Sequence, residues 1–139
     1  YHFGSKEQLI VEILTVIAQQ QQHLLASASL EVTDPEVRLE QLWAQLTSPR
    51  LIPFLRSLFE VELRAIDGDG LYRGFAQGSL RAWLELVRGS LETEDIAAAN
   101  FVLSAFTGLL IDRFSTGEVE RTDAAFGALK NALRKGGLI

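Results

Sequence analysis

Apolar residues recur along this chain at intervals of about three and four, and the pattern predicts helix almost from end to end. A first long helix is predicted over residues 5–29. Ser5 and Gln8 have the spacing of a capping box, in which each side chain satisfies a free backbone N–H. Gly4 before them suits a left-handed helix end. Ile10, Ile13, Leu14, Ile17, Leu24 and Leu25 fall on one face of this helix. After a break at 27–33, Asp34 and Pro35 read as N-cap and first helical residue, with Leu39, Leu42, Trp43 and Leu46 as the stripe. Ser48 and Pro49 repeat that signal for a third helix to about Ile66, facing inward through Leu51, Leu55, Leu58 and Phe59. Pro53 lacks an N–H and should kink its first turn or delay its start.

Residues 67–70 read as a turn. Their Asp-x-Asp-Gly string is not a calcium loop, because a third early ligand and a closing glutamate are both missing. A fourth helix follows over about 72–90, with Tyr72, Phe75, Trp83, Leu86 and Val87 inward and Arg73, Gln77, Arg81, Glu85 and Arg88 on the wet face. The fifth, about 94–114, starts after Thr93 as N-cap and is apolar nearly all round. Ile96, Leu103, Leu110 and Phe114 lie on one side and Ala98, Ala105 and Leu109 almost opposite. Such a helix is expected to be covered on both sides. The last, about 120–135, carries Ala125, Phe126, Leu129 and Leu133 inward, flanked by Ala124, Ala128 and Ala132, and ends at Gly136-Gly137. The predicted fold class is all-α: a bundle of about six helices, with neither strands nor repeats.

Length and composition narrow the classes. With 139 residues, 47% of them hydrophobic, the chain can bury one real core. It has no run of ~18 apolar residues, so no membrane span is expected, and no secretory h-region. It has no cysteine, which excludes disulfides and thiolate metal sites and fits a cytoplasmic protein. A net charge of −5 opposes binding to a phosphate backbone, so any DNA-reading element is expected elsewhere. Opening at Tyr1 without a Met, the chain reads as a piece of a longer protein. No catalytic signature occurs, and neither a metal nor a cofactor is expected. Of the two histidines, His23 lies opposite its helix's apolar stripe.

The string Tyr1-His2-Phe3-Gly4-Ser5-Lys6-Glu7-Gln8-Leu9 resembles the segment that closes the helix-turn-helix of TetR-family transcriptional regulators and opens their connecting helix. The plan of the remaining helices is similar to that family's C-terminal body. The resemblance implies that residues 1–4 end a DNA-binding head and that 5–139 form a ligand-binding and dimerisation domain. It also implies a bacterial one-component regulator, usually a repressor, working as a homodimer on operator DNA and released by a small molecule. Tyr1, His2 and Lys6 would then sit beside phosphates, positioning the protein without reading bases, and Phe3 would pack head onto body.

Candidate pocket residues are polar groups on apolar stripes, which need a partner once buried, together with the aromatic residues. Gln21 lies within ~20° of the centre of the first-helix stripe, and Glu62 is equally close to the centre of the third. Asn100, Ser104 and Thr107 form the narrow polar wedge of the fifth helix. Trp43, Phe59, Phe75, Trp83, Phe101 and Phe106 are candidate walls for a hydrophobic or amphipathic effector, and such residues are more often plain core. Gln21 either faces a ligand or emerges into solvent. Glu62 either meets a cationic or hydrogen-bonding group, pairs with Arg64 or Arg81, or lies exposed. Asn100 and Thr107 either face a ligand or bond neighbouring backbone. The dimer is expected through the last two helices, with Ala98, Phe101, Ala105, Leu109, Ala124, Ala128, Phe126 and Leu129 as interface candidates. Two alternatives remain open from sequence: a helical carrier of apolar ligands, and a structural dimerisation module unrelated to DNA.

Overall fold

Three helices in this chain begin at an aspartate. Asp34, Asp69 and Asp95 each hold extended backbone and accept hydrogen bonds from the first free N–H groups of the helix that follows. The computed structural model describes residues 4–29 and 31–139. Six α-helices follow in order: α1 Lys6–Ser29, α2 Pro35–Leu46, α3 Ile52–Ile66, α4 Gly70–Leu91, α5 Ile96–Thr116 and α6 Val119–Lys135. A 3-10 turn, Pro49–Leu51, precedes α3, so Pro53 falls in the first turn of a delayed helix, where its missing N–H costs nothing. No strand occurs among the described residues.

Several boundaries differ from expectation because a carboxylate outcompetes its neighbours. Asp69 starts α4 at Gly70, since its Oδ1 accepts from the N–H groups of Leu71 and Tyr72. At α5, Asp95 rather than Thr93 is the cap: Asp95 accepts from Ala97 and Ala98, while the Thr93 hydroxyl accepts from Asp95 itself. Ser5 accepts from the N–H of Gln8 at 3.1 Å, the expected half of a capping box. The left-handed glycines among the described residues, Gly68, Gly117 and Gly137, follow α3, α5 and α6.

The hub of the bundle is α4, which packs against α1, α2, α3 and α5, while α6 packs on α5. The expectation that α5 would be covered on both sides is not met within one chain. Ala99, Val102, Phe106 and Leu110 are buried, whereas Ile96, Phe101 and Ile111 face outward. By length and a mean hydropathy of 1.3 over its most apolar stretch, α5 is long and apolar enough to cross a membrane. A count of unbroken apolar residues missed this because Asn100, Ser104 and Thr107 interrupt the run.

The face of α1 is also rotated from the predicted one. Leu14, Ala18 and Leu25 are buried with Val11 beside them, while Ile10, Ile13 and Leu24 are exposed. Ala18, with Gly74 and Gly78 of α4, borders an open groove between the two helices.

Two polar clasps hold the periphery. Arg38 reaches from α2 to the Val32 carbonyl and to Glu92 at 2.8 Å; Glu92 ends α4 in a left-handed conformation. Lys130 and Arg134 of α6 pair with Glu40 and Glu36 of α2. Between these ion pairs Phe126 stacks on Trp43, with centroids 4.8 Å apart and planes 12° from parallel, and Phe106 of α5 meets both rings edge-on.

Candidate ligand cleft

Helices α3, α4 and α5 do not close completely where the end of α2 meets them. Leu55, Leu58, Phe59 and Glu62 of α3 form one wall, Leu80 and Trp83 of α4 a second, and Leu103, Phe106, Thr107 and Leu110 of α5 the third, with Leu46 of α2 at the end. The cleft they bound holds about 480 Å³ including its open mouth, but only about 60 Å³ is wide enough for the centre of a water molecule. It is a slot, narrower than the pockets that enclose drug-sized ligands.

The spacing along each helix explains why these side chains meet. Leu55, Leu58, Phe59 and Glu62 sit three and four residues apart, so they share one side of α3; Leu103, Phe106, Thr107 and Leu110 do the same on α5. Five of the residues weighed from sequence therefore come together: Phe59, Glu62, Trp83, Phe106 and Thr107.

Three polar groups interrupt the apolar lining. The Thr107 hydroxyl donates to the Leu103 carbonyl at 3.0 Å, so its proton is used within its own helix. The Trp83 indole Nε1–H is buried without a hydrogen-bond partner. Glu62 is half-buried, with no hydrogen bond or ion pair among the described residues, and burial pushes its carboxyl above the ordinary range. Neither arginine weighed as its partner pairs with it. Arg64 lies over the Tyr72 ring, 5.4 Å from the centroid, and Arg81 is on the exposed side of α4.

The other candidates lie elsewhere. Trp43 is core, its indole N–H donating to Asp123 at 2.9 Å. Phe75 is buried beside a separate groove between α1 and α4, where Gln22 Nε2 and Ser79 Oγ have no partner. Gln21 is half-buried on the inward line of α1 but lines neither opening, and Asn100 is exposed outside the cleft. Lys6 is exposed in the first turn of α1; Tyr1 and His2, the other phosphate candidates, lie outside the described residues.

Of the interface candidates, Phe101 is 58% exposed, Ala124 and Ala128 are exposed, and Ala98, Ala105 and Leu109 are half-buried. Phe126 and Leu129 are corrections. Both are buried inside the single chain, Phe126 by its stack on Trp43, and neither offers a surface to a partner.

Leu80 and Leu103 also line the cleft and were not singled out as its walls. No signal in the sequence marks Leu80, which stands between the polar and apolar faces of α4. Among the described residues no cluster of three or more His, Cys, Asp or Glu side chains could hold a metal ion. No protein-family model, no curated protein and no solved structure matches this chain.

Proposed function

We propose that this chain is the effector-binding and dimerisation body of a TetR-type transcriptional regulator. In this reading a small molecule in the α3–α4–α5 cleft alters the DNA affinity of a head carried before Tyr1. The observation that carries the reading is the convergence of Phe59, Glu62, Trp83 and Thr107 on one largely apolar cleft with two unpartnered polar groups. The resemblance of residues 1–9 supplies the link to DNA.

The outward side of α5 and α6 supports the dimer. Phe101 stands out from α5 beside the small residues Ala98 and Ala105, and Ala124 and Ala128 leave α6 nearly flat. Two such helix pairs related by a two-fold axis would pack as a four-helix bundle, with the aromatic ring of each chain covered by the other. That symmetry suits a palindromic operator. Coupling requires only that the ligand prefer one relative placement of the two heads.

Reading the coding sequence upstream of the Tyr1 codon tests this directly. A basic helix-turn-helix segment in frame is the expected result. An upstream segment with no such element would overturn the regulator reading and favour a carrier of apolar ligands.

A further inference from the structure

We propose that the ligand of the α3–α4–α5 cleft is an amphipathic organic amine bound in its protonated form, with Glu62 as its counter-ion. This rests on the reading of the cleft as the effector site and names the chemistry of the effector. Glu62 is the one ionisable side chain among those lining the cleft. No cation among the described residues pairs with it, and Arg64, two residues on, lies over the Tyr72 ring. A half-buried carboxylate of this kind is costly unless something brings positive charge to it. An anionic ligand would bring a second negative charge into a slot with no cation to offset either. A neutral alcohol would satisfy hydrogen bonding but leave the charge unpaired. An ammonium group does both.

The rest of the lining fits the same molecule. Phe59, Trp83 and Phe106 offer aromatic rings, whose faces attract a cation and whose area takes an apolar body. Trp83, only 8% exposed, leaves an indole donor for which an oxygen on the ligand would be the matching acceptor. The narrow slot selects a single chain or a single ring over a fused polycycle.

The test is a calorimetric titration of this chain, near neutral pH, with hexylammonium, hexanol and hexanoate, which share a body and differ in charge. Hexylammonium should bind at least ~10-fold more tightly than hexanol, the gain of one charge-assisted hydrogen bond, and hexanoate should bind least. In Glu62→Gln, checked for an unchanged circular dichroism spectrum, the preference for hexylammonium over hexanol should fall to within ~2-fold. Hexanol binding as tightly as hexylammonium to the native chain would overturn the inference and leave the cleft as a ligand site. Failure of all three to bind would overturn the effector-cleft reading and the inference with it.

Discussion

Trp43 and Asp123, 80 residues apart in the chain, are joined by a 2.9 Å hydrogen bond from the indole N–H to the carboxylate. The same carboxylate oxygen accepts from Arg113 at 2.8 Å, and the Arg113 guanidinium lies 5.6 Å from the centre of the Trp43 ring. One aspartate thus ties α2, α5 and α6 at the point where Trp43, Phe106 and Phe126 meet. Asp123→Ala should cost about 1–2 kcal/mol in urea unfolding, because it leaves a part-buried donor unpaired. Trp43→Phe keeps a ring against Phe126 and loses the donor, so the double variant should be less destabilised than the sum of the two. Strict additivity would show that the bond contributes nothing.

Glu62 makes stability depend on pH in a definite direction. Its folded-state carboxyl is held above the ordinary value of 4.5 by burial. The folded chain therefore binds this proton more tightly than the unfolded one. Its contribution is fully present below about 4.5 and is lost as pH rises through the raised value. Glu62→Gln removes this one slope and leaves the others. The melting temperature of the variant, minus that of the native chain, should therefore grow from acid to neutral pH. A difference that is flat or shrinks would mean that Glu62 finds a partner when ionised.

The opposite sign belongs to Asp112. Its hydrogen bond to the Arg121 guanidinium holds its carboxyl below the ordinary value of 3.8. The stability it adds is present above that value and is lost as pH falls through the lowered one. Arg121→Gln should flatten the acid limb of the stability curve below pH 3.8, and should do little at neutral pH because the pair is exposed.

The outward ring of α5 is the place to break the proposed dimer. The native chain is expected to scatter light as about twice 15.4 kDa. Phe101→Arg should weaken association by about 2 kcal/mol, ~30-fold in Kd, with the helical spectrum intact. Phe126→Ala is the contrast. It should destabilise the single chain by about 3–5 kcal/mol, because that ring is core.

Gly117 closes α5 at φ 72°, its N–H donating to the Arg113 carbonyl at 2.9 Å. A side chain is disfavoured in that conformation, so Gly117→Ala should cost about 1 kcal/mol although nothing lies within 4 Å of the added methyl. A neutral result in thermal unfolding would mean that the corner relaxes out of the left-handed region.

Much of this fold was legible because its signals are local. Asp34 before Pro35, and Gly136-Gly137 after Arg134-Lys135, mark helix ends with groups that act within a turn of where they stand. The bundle and its inward stripes on α2 and α3 follow from periodicity. What failed depended on a second helix. On α1, Ile10 and Ile13 are more hydrophobic than Ala18, yet Ala18 is buried and they are exposed, because the inward line is set by how α1 packs on α4. Phe126 and Phe101 look alike in sequence, but one meets Trp43 and the other meets solvent. In the cleft, Glu62 was visible as a polar residue on an apolar stripe. Its lack of a partner was not, because that is a statement about where Arg64 and Arg81 go.

The chain's two tryptophans have opposite polar surroundings: the Trp43 indole N–H is bonded to a carboxylate beneath a guanidinium, and that of Trp83 has no hydrogen-bond partner among the described residues. Their emission should therefore separate into two signals with different origins. Trp43 would report whether α6 is seated on α2, and Trp83 would report what occupies the slot beside it. A fluorescence change on adding a small molecule that persists when Trp43 is replaced by Phe would come from the cleft. Ordinary light would thus read ligand capture and helix docking separately, with no label attached.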